Sequence, residues 1–269
     1  MKTSVLWLLM AAAAVASPGS VISSFYLSGN IYPIAVSVYR NYNTPYVYGL
    51  FDTNGGAELR TYTTAGSLTG SLTLPGMTGR PIDADHCTLG SSYFCVLDNG
   101  SLLRTYTLAN GLLIGSMAVP PSTGYGCLYY YDKYTCFARG NYVFVYNSGG
   151  SLISSFSGGV NVGTLAFSES YNTLHPHCII VIPSAQGLQP CRVFNTGGSL
   201  LGTFTFSGPY PGMDIRGGAS AGDSLAYVET LWVMLQTDAI NRAAYEVDLG
   251  NILMDVVPSS LGTIKALYR

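Results

Sequence analysis

Apolar and polar residues alternate along this chain in short runs, broken by clusters of Gly, Asn, Ser and Pro. A period of two marks a strand with one covered face. No stretch sustains the 3.6-residue apolar period of an amphipathic helix. One phrase then recurs: Gly19-Ser-Val-Ile-Ser-Ser-Phe25, Gly66-Ser-Leu-Thr-Gly-Ser-Leu72, Gly111-Leu-Leu-Ile-Gly-Ser-Met117, Gly150-Ser-Leu-Ile-Ser-Ser-Phe156 and Gly198-Ser-Leu-Leu-Gly-Thr-Phe204. A weaker copy is Gly250-Asn-Ile-Leu-Met-Asp-Val256, and successive glycines lie 47, 45, 39, 48 and 52 residues apart. A strand-rich repeat of this length matches a four-stranded propeller blade.

Each unit reads as four strands. The first has 34–39, 46–51, 59–63 and 67–74; the second has 81–87, 93–97, 102–107 and 112–119. The third has 126–131, 134–138, 142–146 and 152–156; the fourth has 163–168, 177–182, 191–195 and 200–206. Asn99-Gly100 between apolar runs predicts a hairpin turn, because both positions favour positive φ. In the fifth unit 231–235, 243–247 and 252–257 fit, while an insertion within 213–226 blurs the inner strand. Counting six phrases, and matching the inner strand 34–40 to 263–269, predicts an all-β propeller of six antiparallel blades. Its last blade is incomplete, with an inner strand from the C-terminus and an outer strand from the N-terminus. The alternative is a five-bladed ring, which avoids unpaired edges.

Composition narrows the class further. Of 269 residues 48% are hydrophobic and 10% charged, with 32 Gly and 21 Tyr, which excludes a disordered chain and a coiled coil. A formal charge of −2 leaves no electrostatic footprint for nucleic acid or anionic lipid. Residues 1–16 read as a signal peptide: Lys2, an apolar stretch over 5–15, and small residues at Ala14 and Ala16 before the cleavage point. The apolar stretch is too short to span a bilayer. The expectation is a single propeller domain over 17–269, secreted, periplasmic or on the cell surface, with no membrane insertion.

In such a compartment the six cysteines predict disulfides. The strand assignment pairs Cys87 with Cys95, Cys127 with Cys136 and Cys178 with Cys191 across three hairpins. No Cys-x-x-Cys spacing favours zinc instead.

Candidate chemistry gathers on inner strands. Asp83, Asp85 and His86 sit on one, and Asp214 with Arg216 sits at the matching place three units later. Asp83, Asp85 and Asp214 could supply oxygen ligands to Ca²⁺ in a central channel. The competing reading, favoured by Arg216 among the carboxylates, is an ion-pair and hydrogen-bond cluster joining blades. His175-Pro176-His177 reads as a surface turn, and no Gly-x-Ser-x-Gly elbow exists. Tyr129-Tyr130-Tyr131 could form a carbohydrate- or peptide-binding rim, or fill a blade interface.

The phrases, with Pro33-Ile34-Ala35 and Leu231-Trp232-Val233 as first- and second-strand signals, resemble secreted bacterial propeller repeats of the NHL/YVTN-like superfamily. Most units lack the aromatic-Asp-Gly turn of that pattern. The resemblance implies a propeller outside the cytoplasm, and no catalytic residues. The expected function is a non-catalytic scaffold binding protein or carbohydrate, without a resident cofactor. The alternative is a propeller enzyme of lyase, lactonase or cyclotransferase type, with an acidic or metal site at the channel.

Overall fold

The repeated phrase folds the same way wherever it follows a strand, and that local rule generates the architecture. After Asn195 the chain makes a tight loop: Asn195 N–H donates to the Ser199 carbonyl at 3.0 Å, and Gly198 N–H donates to the Asn195 carbonyl at 3.0 Å. The Asn195 side chain caps the loop by accepting the Ser199 N–H at 2.8 Å. Asn147 repeats this with Gly150 and Ser151, and Thr63 with Gly66 and Ser67. The glycine is required twice over. Gly66 and Gly198 have φ of 85° and 87°, and a Cβ there would meet Phe25 and Phe156 at 2.6 and 2.7 Å. Each of those rings belongs to the phrase of the preceding unit, so one repeat seats the next.

The computed structural model describes residues 19–27, 32–38, 46–54, 56–87, 93–99, 102–119, 127–130, 134–147, 149–168, 178–184, 190–205, 215–223, 228–236 and 242–249. Its strands are β1 Val21–Tyr26, β2 Tyr32–Val38, β3 Tyr46–Asp52, β4 Ala57–Thr63, β5 Leu68–Leu74, β6 Pro81–Cys87 and β7 Tyr93–Asp98. Then come β8 Leu102–Thr107, β9 Leu113–Ala118, β10 Cys127–Tyr130, β11 Tyr134–Arg139, β12 Tyr142–Asn147, β13 Leu152–Ser157 and β14 Val162–Ser168. The last are β15 Cys178–Pro183, β16 Cys191–Asn195, β17 Leu200–Phe204, β18 Ile215–Asp223, β19 Val228–Gln236 and β20 Arg242–Asp248. They form five antiparallel four-stranded sheets: β2–β5, β6–β9, β10–β13, β14–β17, and a fifth in the order β18-β19-β20-β1.

The ring therefore has five blades, not six. The opening phrase is not the outer edge of a further, incomplete blade. It supplies the outer strand of the fifth, with Phe25 opposite Ala244 and Tyr26 opposite Ala243. The inner strand of the fifth unit, blurred in the sequence, is Ile215–Asp223, and the outer place expected for 252–257 belongs to β1. Residues 250–269, including the inner-strand match at 263–269, lie outside the described residues, as do 1–18.

Second strands are buried along almost their whole length, because a neighbouring blade covers each face. Outer strands alternate between half-buried and exposed. Five apolar clusters among the described residues fill the five junctions. The cluster that closes the ring packs Trp232, Met234 and Ala244 of the fifth blade on Val36, Val47, Phe51 and Tyr62 of the first. Arg242 also clasps this seam: its guanidinium lies 4.0 Å from the Tyr32 ring centre and donates to the Pro33 carbonyl at 2.5 Å.

The expected disulfides are not present among the described residues, and the register explains why. Cys87 stands opposite Tyr93, and Cys95 opposite Asp85. Cys127 faces Phe137 while Cys136 faces Leu128, so these two occupy successive rungs. Cys178 faces Asn195, far along the hairpin from Cys191. Burial pushes the Cys136 and Cys191 thiols well above their ordinary range, and the Asp85 charge adds to the shift at Cys136.

Candidate functional site

The inner strands line the axis, and register shows which of their residues share a level. The row beginning at Met117, the seventh residue of its phrase, runs through Leu103 and Leu97 to Asp83. The row from Leu72 ends on Ala35, and that from Phe25 runs through Ala244 and Met234 to Arg216. In the fourth blade, continuing the register by one rung carries the row from Phe204 to Thr164. Asp83, Thr164 and Arg216 thus stand on one level of the channel. A second level holds Ser37 and Asp85, whose rows both pass through a threonine of the third strand, Thr61 and Thr105.

The described side chains of these levels touch. Thr164 Oγ1 donates to Asp83 Oδ2 at 3.0 Å, and both residues are buried. The second and fourth blades are not neighbours in the ring, so this bond passes the third blade and crosses the axis. Asp83 Oδ1 also accepts the Ala84 N–H at 2.8 Å. Ser37 Oγ donates to Asp85 Oδ1 at 3.0 Å and accepts the His86 N–H at 2.9 Å, tying the first blade to the second. His86 is buried too, its ring stacked on Tyr48 at 5.8 Å between centres.

The sequence-derived candidates meet the structure in this way. Asp83 and Asp85 lie side by side on β6, two residues apart, as their strand assignment requires. Arg216 occupies the rung level with Asp83, but its side chain and all of Asp214 lie outside the described residues. So do His175 and His177. Among the described residues no three His, Cys, Asp or Glu side chains converge as a metal site would need. Ser37 and Thr164 were not singled out from the sequence, where hydroxyl residues are too common to point anywhere. Their signal was positional, since each shares a rung with an aspartate of β6.

A second polar group sits in the second blade, away from the axis. Arg104 Nε donates to Asp98 Oδ2 at 3.0 Å, with side-chain exposures of 6% and 0%. Asp98 Oδ1 accepts the Leu102 N–H at 3.1 Å, and Arg104 donates a further bond to Thr78 at 2.7 Å. Both groups of Asp98 are satisfied locally, so this pair holds a turn and is not a reactive centre.

No protein-family model and no curated protein matches the chain. Among solved structures, it is similar to the crystal structure of Myxococcus xanthus glutaminyl cyclase. That likeness has a TM-score of 0.55 at 11% identity, over 86% of this chain and 98% of the other. At this identity the likeness shows the fold. It also corrects the expectation of a non-catalytic scaffold: the solved propeller that shares this ring is an enzyme, and of the cyclotransferase type held as the alternative.

Proposed function

We propose that the chain is a propeller enzyme of the cyclotransferase type, closing the N-terminal glutamine of a peptide into a lactam with release of ammonia. The observation that supports this reading is the shared ring with glutaminyl cyclase over 86% of the chain. The channel residues suit the chemistry. The neutral α-amine attacks the side-chain carboxamide carbon, a proton leaves the attacking nitrogen, and a proton must reach the departing nitrogen as the C–N bond breaks. A carboxylate held in one orientation serves both transfers. Asp85 is the residue assigned to that role, because Ser37 and the His86 N–H fix its Oδ1. Asp83, bonded across the axis to Thr164, closes the channel below it and holds the blades together. No cofactor is needed for these steps.

The reading includes export: residues 1–16 are removed, and the enzyme acts on peptides outside the cytoplasm. N-terminal sequencing of the mature protein should begin at Ser17. The decisive experiment incubates the purified protein with short peptides beginning in Gln and follows ammonia release and the matching mass loss. Asp85→Asn should abolish turnover while the circular dichroism spectrum stays unchanged. Absence of turnover by a folded, unsubstituted protein across such peptides would sink the proposal.

A further inference from the structure

The chain carries six outer-strand phrases, while the ring described above has five outer places. The place beside β20 is the one in contention. In the first, third and fourth blades a phrase reaches its place directly from the strand before it, its glycine three residues past the capping Thr63, Asn147 or Asn195. In the fifth blade the same two bonds are made by residues from opposite ends of the sequence. Gly19 N–H donates to the Asp248 carbonyl at 2.8 Å, and Asp248 N–H donates to the Ser20 carbonyl at 2.9 Å. Asp248 stands where Asn195 stands one blade earlier, and Gly19-Ser20 stands where Gly198-Ser199 stands. The seam is a hairpin loop with its covalent link missing.

The phrase at Gly250 follows Asp248 by two residues, one fewer than in those three blades. The capped loop cannot form at that spacing. A two-residue turn at Leu249-Gly250 can, and it brings Ile252 opposite Val247, the rung that Val21 occupies at the seam. We propose that residues 250–256 are a second occupant of the outer edge of β20, competing with β1 for one place. The two closures differ in a physically definite way. The local hairpin closes a loop of two residues, whereas β1 must be recruited from the other end of the chain, a far greater loop-closure cost. Once docked, β1 has the advantage. Phe25 lies 5.4 Å from Tyr62 and 6.0 Å from Trp232, covering the junction between the fifth and first blades, where the later phrase offers only Val256. Residues 250–256 therefore cover the edge first, and β1 displaces them in the finished ring.

The test is hydrogen exchange, resolved by peptide, on the full chain carrying Phe25→Asp, which removes the ring that favours β1. The expected result is lost protection over 19–27, retained protection over 242–248, and exchange over 250–257 slowed by more than about tenfold relative to the unsubstituted chain. A second variant, Ser23→Pro with Ser24→Pro, must remove one amide directed at β20, since alternate amides face the partner strand. It should give the same pattern. Adding Leu253→Pro to either variant should then strip protection from 242–248. Loss of protection from 242–248 in Phe25→Asp or in the double proline variant alone, with none gained at 250–257, would overturn the proposal.

Discussion

The bond between Thr164 and Asp83 is the one described contact that spans the channel, and its removal is a sharp test of the axial site. Thr164→Val keeps the shape of the side chain and deletes only the hydroxyl, so no cavity confuses the result. Thr164 Oγ1 lies 3.0 Å from Asp83 Oδ2, and both residues are at most 1% exposed, so water cannot replace the lost donor. A hydrogen bond to a charged group contributes about 1.5–3 kcal/mol, and the buried acceptor left behind makes the upper part of that range the expectation. Asp83→Asn lowers the charge on the acceptor while keeping its carbonyl. In that background Thr164→Val should cost only about 0.5–1.5 kcal/mol, the range for neutral partners. The coupling from the four proteins is therefore on the order of 1 kcal/mol or more. Urea unfolding followed by tryptophan fluorescence measures it, provided the slope m stays the same across the set. Trp232 lies in the cluster that closes the ring, so its signal reports the whole circle. Additive costs, or a single cost below about 0.5 kcal/mol, would mean that the two side chains do not meet across the axis.

Other consequences are more local. Asp98→Ala leaves the Arg104 guanidinium buried without its carboxylate and should cost about 3–5 kcal/mol, whereas Asp98→Leu with Arg104→Met should recover most of that loss. Gly66→Ala and Gly198→Ala should each destabilise by more than about 1 kcal/mol through left-handed strain, with the clash on Phe25 or Phe156 added. Gly70→Ala, which meets no atom within 4 Å, is the near-neutral control, read in the same urea experiment. Stability should fall at alkaline pH. Burial raises the Cys136 and Cys191 thiols above their unfolded value of 9.0, and Tyr106 is pushed up to about 12 from 10.0. The unfolded chain therefore loses these protons first, so their stabilisation is complete below pH 9 and is lost progressively above it, with the Tyr106 part going between 10 and 12. A flat unfolding midpoint from pH 8 to 11 would contradict that burial.

How much of this was readable beforehand depends on whether the signal was local. The alternation that predicts strands is local, and the inner and second strands of the second unit fall almost where it places them, at Pro81–Cys87 and Tyr93–Asp98. Disulfide pairing depends on the centre of a hairpin, and a small error there decides the partner. Centring the first hairpin one residue too late paired Cys95 with Cys87, when the true register gives that rung to Asp85. The blade count failed for a different reason. A recurring phrase counts outer strands, and nothing near Gly19 says that its partner is Asp248, because the contact joins the two ends of the sequence. The same phrase nevertheless held information about the site that its use as a counter concealed. Its seventh residue heads the row that ends on Ala35, Asp83, Thr164 or Arg216 at the axis. The aspartates of β6 stood out because a carboxylate in a buried strand is costly without a partner. Thr164 did not, because a hydroxyl in an apolar run carries no such penalty by its residue type. Only the register distinguishes it from the other threonines: a side chain becomes a candidate here through the rung it shares, and that rung is set by the glycine loop at the far edge of its own blade.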